Sequence, residues 1–146
     1  MKEFKLTFQE KKNFCVCSVL QAILRKYNIN LSQKEISKNL TPSKEGGYFI
    51  DDGSVGNFLF SKGFRYEHYF WNTTPFHEPD SLLEEMNQNE GMIGFNKHVY
   101  ILKNFQDPEL EIIDPKDGEI IKKNLHDLLK DMKEKEGIFG LIKKVN

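Results

Sequence analysis

Cysteine is scarce in this chain. There are two in 146 residues, and both fall in one short stretch, as Cys15 and Cys17. Two cysteines cannot build a disulfide framework, and a Cys-x-Cys pair is poorly placed for an internal bridge within regular structure. Both are expected to be free thiols in a reducing compartment, the cytoplasm. Long apolar runs are also missing: none approaches the roughly eighteen residues that a membrane span needs. The opening stretch MKEFKLTFQEKKNF has no apolar segment of the kind a secretory signal carries. Charge of one sign is not in excess either, since 21 Lys and Arg stand against 22 Asp and Glu. No strong field results, which disfavours nucleic acid as a partner. With no repeat, low-complexity tract or Gly/Ser linker, the chain is expected to form one domain over residues 1–146, a size that supports a real core.

The clearest element present is a helix beginning near Asn13 to Cys15 and ending near Asn28. Val16, Val19, Leu20, Ile23, Leu24 and Tyr27 recur at helical spacing and predict one apolar stripe. Ser32 and Glu35 have the spacing of a capping box for a second helix, with Leu31 and Ile36 as a hydrophobic staple. Residues Thr41 to Gly53 read as loop. A short helix from Ser54 to Lys62 is expected to stop at Gly63. The pattern then turns to strands at Phe64–Trp71, Gly91–Phe95, His98–Phe105, Leu110–Pro115, EIIK after the turn KDGE, and the terminal IFGLIKKV. NTTPFHEP reads as a loop. Helices are expected at Asp80–Asn87 and Asn124–Lys133. Helices first and an antiparallel sheet afterwards define an α+β domain.

Cys15 falls at the start of the first helix, where unpaired N–H groups and the helix dipole favour a thiolate. Cys17 falls nearer the apolar stripe, so Cys15 is expected closer to the surface. Both cysteines also read as small core residues, which is what free cysteines usually are. His98 opens one strand and Asp114 closes the next. If those strands pair, the carboxylate can orient the imidazole and stabilise its cation, and the imidazole can partner a thiolate. Taken singly, His98 is also a half-exposed strand start and Asp114 an Asp-Pro turn former. Gln9, six residues before Cys15, has an amide that can join the Cys15 N–H as an oxyanion hole; alone it is an ordinary polar residue.

Gln9, five residues and Cys15 at the head of a long helix, then HVYIL and later IIDP, resemble in order the papain-like cysteine peptidases that process bacteriocin leaders of the double-glycine type. The resemblance runs from about Phe8 to the helix at Asn124. It implies a papain-like fold, Cys15 as nucleophile, His98 as general base and acid, Asp114 as orienting carboxylate and Gln9 as oxyanion donor. It implies a peptide or protein substrate and no cofactor or metal, and gives Cys17 no role. The chain departs from the family pattern at Phe14 (usually acidic), Val16 (usually Gly), Cys17 (usually two residues later) and Lys97 (usually Gly). The bulkier surroundings bear on substrate choice. No membrane-spanning region follows, so a coupled leader-processing exporter is not expected of this chain.

A zinc site is disfavoured because Cys-x-Cys is a poor start for one and no second pair exists. His68, His77 and His126 lack ligand spacing and are expected on the surface. A redox module would prefer Cys-x-x-Cys. Asp51 and Asp52 carry no EF-hand pattern. The rival of another class is a catalytically silent peptide-binding module of the same fold.

Overall fold

The computed structural model describes residues 2–72 and 78–145. Most of the predicted loop 72–79, and His77 with it, lies outside the described residues. The elements follow the order α1 (Cys15–Arg25), α2 (Gln33–Ser37), α3 (Gly53–Ser61), β1 (Phe64–Phe70), α4 (Pro79–Gln88), β2 (Glu90–Phe95), β3 (His98–Gln106), β4 (Glu109–Ile113), β5 (Ile120–Asn124), α5 (Leu125–Glu134) and β6 (Ile138–Lys144). The six strands form one sheet in the order β1-β6-β2-β3-β4-β5. Every pairing is antiparallel. The α+β expectation is met.

Alternation along the strands divides the apolar residues between two cores. Met92, Val99, Ile101, Ile113 and Ile142 join α1, α2 and α3 in one. Ile93, Leu102, Ile112, Phe139 and Leu141 join α4 and α5 in the other.

The first helix differs from the expected single stripe. All residues from Cys15 to Leu24 are buried, including Ser18 and Gln21. The reason is the segment before it. Residues 2–12 run without regular structure, and α1 is bonded to this strap and to the lead-in of α2 on its polar side. Ser18 Oγ donates to Thr7 O at 2.7 Å and Gln21 Nε2 to Leu31 O at 2.9 Å. Arg25 Nη1 reaches Lys5 O at 3.1 Å and Thr7 Oγ1 at 2.6 Å. The helix stops where Asn28 takes φ 62°. The Ile29 N–H then bonds back to Leu24 O at 3.1 Å, the left-handed stop that Asn tolerates.

The capping box at α2 is present, with Ser32 Oγ accepting from the Glu35 N–H and the Glu35 carboxylate accepting from the Ser32 N–H. Such a cap stabilises a helix by about 1 kcal/mol. Asp52 caps α3 by accepting from the Ser54 N–H, so this member of the acidic pair serves a helix start. Gly63 ends α3 at φ 91°.

Candidate active site

Two turns at one end of the sheet place His98 and Asp114. The β2–β3 hairpin closes through Asn96 and Lys97, both left-handed at φ 54° and 58°. That is type I′ geometry, the two-residue loop that matches strand twist. It sets His98 directly across from Phe95. Strands β3 and β4 pair with Ile101 opposite Ile113. Continuing the register by one step puts Asp114 across from Tyr100, so His98 becomes its diagonal neighbour, within reach of a long side chain.

The turn after β4 holds Asp114 at both backbone and side chain. Its N–H donates to Glu119 O at 2.9 Å, and its carbonyl accepts from the Gly118 N–H at 2.8 Å. Its Oδ1 accepts from the Lys116 N–H at 2.9 Å, an Asx turn. The same Oδ1 lies 2.6 Å from His98 Nε2. The two side chains are 21% and 16% exposed, so water screens the contact only partly. Tyr100, on the same face of β3, meets the His98 ring edge to face with centroids 4.8 Å apart. Phe95 stacks on Tyr100 at 5.0 Å. The imidazole thus has an aromatic wall and a carboxylate anchor.

The opposite side of the imidazole meets α1. Interaction with the Cys15 thiol is the main cause holding the His98 pKa above its ordinary value. Partial burial works the other way, while the Asp114 hydrogen bond and charge add to the rise. With Nε2 on Asp114, Nδ1 is the nitrogen left for the thiol. Cys15 is 8% exposed and Cys17 fully buried. The expected order of burial holds, but Cys15 is itself a buried residue, because the strap and the loop around Gly46 close round the helix start. The Asn13 Nδ2 donates to Gly46 O, and the Phe14 ring lies 6.1 Å from that of Tyr48. Burial pushes the Cys17 thiol up to about 12, with the charge of Cys15 adding to the rise. The structure therefore brings Cys15 and Asp114 to the same imidazole and leaves Cys17 in the packing.

Gln9 sits on the strap and is tied to the Asp114 corner, its N–H donating to Pro115 O at 2.9 Å. Its side-chain amide is engaged with its own loop. Nε2 donates to Lys12 O at 2.9 Å and to Lys11 O at 3.3 Å. Gln9 Oε1 is buried and accepts no hydrogen bond among the described residues. Of the other histidines, His68 and His126 are exposed on β1 and α5. His68 lies between the rings of Tyr66 and Phe70.

Tyr100 was not singled out by the sequence reading, although its signal was there: it follows His98 by two in a strand, so it must share its face. Gln33 carried no such signal. It is fully buried at the first position of α2.

No family model matches the chain, and neither does any curated protein. Solved structures do resemble it. A double glycine motif protease from an AMS/PCAT transporter, in complex with the leader peptide, is similar at a TM-score of 0.70 and 17% identity, over 98% of this chain and 93% of that one. The peptidase domain of Streptococcus ComA, a bi-functional ABC transporter involved in a quorum-sensing pathway, is similar at a TM-score of 0.71 and 15% identity, over 97% of this chain and 99% of that one. The chain has the papain-like fold of these peptidase domains, and the neighbours are of the type that the motif order resembles. Among the described residues, no helix is long and apolar enough to cross a membrane.

Proposed function

We propose that this chain acts as a single papain-like cysteine peptidase domain, cleaving a peptide or related amide bond. The observation that carries this reading is the His98 imidazole, 2.6 Å from the Asp114 carboxylate and interacting with the Cys15 thiol. A proton moved from Cys15 to His98 makes a thiolate beside an imidazolium, which Asp114 stabilises and keeps in one tautomer. The thiolate attacks the carbonyl carbon, and the oxygen gains negative charge. The Cys15 N–H and the Gln9 amide are the donors for that charge. For Gln9, the longer bond, to Lys11, is the one an oxyanion would replace. His98 then gives its proton to the leaving amine, the C–N bond breaks and a thioester remains. Water, deprotonated by His98, releases the acid and restores the thiol. No metal or organic cofactor is required by these steps.

The substrate we infer is a peptide, by analogy with the similar protease seen with a leader peptide. Small residues just before the cut fit an approach in which Cys15 is only 8% exposed. The compartment we infer is the cytoplasm, where two free thiols persist. One observation favours the rival reading of a silent peptide-binding module: the Gln9 amide is bonded to Lys11 and Lys12. The test is labelling with an electrophilic thiol probe and turnover of a fluorogenic peptide library. Modification at Cys15 with product release, both lost in Cys15→Ala, supports the peptidase. Peptide binding with neither acyl-enzyme nor product establishes the binding module.

A further inference from the structure

The strap carrying Gln9 has no strand partner along its length, and besides the packing of Phe4 and Leu6 and the Gln9 bond to Pro115 O it is held by side chains that reach it from the helices. One of them reaches both neighbours of Gln9. Gln33, fully buried, accepts the Glu10 N–H on Oε1 at 2.9 Å. Its Nε2 donates to Phe8 O at 3.0 Å and lies 3.1 Å from Thr7 O. The same Nε2 lies 3.1 Å from Gln21 Oε1, and Gln21 in turn donates to Leu31 O at 2.9 Å. This fixes which end of the Gln33 amide faces which partner, because only an N–H₂ can meet three oxygens and only an oxygen can meet the Glu10 N–H. Gln33 thus grips the backbone on both sides of Gln9. The Gln9 N–H itself is held by Pro115 O, beside Asp114.

We propose that Gln33 is a positioning residue for the oxyanion hole: it sets the Gln9 amide relative to Cys15 and contacts no substrate. The proposal rests on the peptidase reading for its effect on turnover, but not for its effect on Gln9. Oxyanion donors act only when aimed at the place where charge develops, and a displacement of about 1 Å can cost two orders of magnitude in rate. A residue that holds residues 8 and 10 is the element whose loss allows such a displacement. Arg25 grips the same strap further back, at Lys5 and Thr7, and serves as a control for general loosening.

The experiment uses the full chain with Gln33→Met, which keeps the length of the side chain and removes its hydrogen bonds. If that variant does not fold, Gln33→Glu replaces it, keeping the acceptor for Glu10 and losing the donor to residues 7 and 8. Two readouts are taken on the folded variant. In NMR, the Gln9 side-chain amide resonance should move and the Glu10 N–H should exchange faster, whereas Arg25→Ala should leave both in place. In turnover, kcat should fall roughly tenfold to a hundredfold with KM within about twofold, and iodoacetamide should still modify Cys15 at the wild-type rate. In a Gln9→Ala background, Gln33→Met should add less than about twofold, because its route of action has been removed. An unmoved Gln9 resonance, a rise in KM alone, or a full multiplicative effect in the double variant would overturn the proposal. If wild type turns nothing over while the NMR changes occur as expected, the grip on Gln9 stands and the peptidase reading alone fails.

Discussion

The contact between His98 and Asp114 lends itself to a two-variant test. Both His98 Nε2 and the Lys116 N–H converge on Asp114 Oδ1, at 2.6 and 2.9 Å. In Asp114→Asn the Lys116 N–H would select the amide oxygen for that position, so the hydrogen bond to His98 survives and only the charge is lost. Asp114→Ala removes both. A hydrogen bond to a charged partner contributes about 1.5–3 kcal/mol, and both groups are exposed by only about a fifth or less, so little of that is screened away. Charge assistance accounts for roughly half of such a bond. Dividing by about 1.4 kcal/mol per decade, Asp114→Ala should lower kcat/KM by roughly 10- to 150-fold and Asp114→Asn by roughly 3- to 10-fold. The pH profile adds a second, independent reading. Asp114 helps to raise the His98 pKa, so in both variants the alkaline limb of kcat/KM should move to lower pH. Stability follows the same sign. A raised folded pKa stabilises the protein fully below the unfolded value of about 6.5, and that part is lost as pH rises through the folded value. Asp114→Ala should therefore flatten the fall in stability just above pH 6.5. Equal effects of the two substitutions, or an alkaline limb that stays in place, would refute the orienting role.

Further outcomes are expected of single sites. At pH 6, iodoacetamide should modify Cys15 much faster than Cys17, which is fully buried and whose thiol is pushed up to about 12; peptide mapping by mass reads the ratio, and equal rates would remove Cys15 as nucleophile. Cys15→Ala should abolish acyl-enzyme formation and product release while the midpoint of thermal unfolding shifts by only a few degrees, since one sulfur leaves a small cavity. Gln9→Ala should lower kcat by about a hundredfold, the usual loss for one oxyanion donor. Glu90→Ala should destabilise by roughly 3 kcal/mol in denaturant unfolding, because the buried carboxylate bonds Lys26 Nζ and Tyr27 Oη, each at 2.7 Å; a loss under about 0.5 kcal/mol would show that Lys26 and Tyr27 find other partners.

The parts of this fold that were legible in the sequence are those with a period or a local signature. The Ser32–Glu35 box, the Asn28 stop, Gly63 and the strand at His98 each depend on residues within a turn or two. The His98–Asp114 meeting was legible because two strands joined by a short connection must pair, and pairing fixes who lies near whom. The burial of Cys15 was not legible. It comes from the strap and the loop around Gly46, neither of which has a period to read, held by Asn13, Ser18, Arg25 and Gln33. The same strap decides the state of Gln9. Its position was inferred from spacing, but its engagement with Lys11 and Lys12 depends on the bend of an irregular segment, which residue types alone do not specify.

The departures around the nucleophile take on different meanings once their surroundings are known. Val16 is fully buried and joins the core under α1, so it cannot line an approach to the sulfur and has no direct hold on substrate choice. Phe14 is 6% exposed, packed toward Tyr48 with the Lys11 ammonium 5.2 Å from its ring; its effect is to stiffen the lead-in to Cys15. Lys97 alone remains in solvent. It occupies a left-handed turn position where Gly would be less strained, and its ammonium lies 3.7 Å from Glu45. An ion pair this exposed contributes little to stability. Its consequence is local charge. The loop holding Gly46 against Asn13 and the turn that introduces His98 flank the proposed catalytic pair, and Glu45 and Lys97 place one charge of each sign there. Substrate selection by charge would thus turn on whether a peptide displaces Glu45 from Lys97, while selection by size follows from the burial of Cys15 itself.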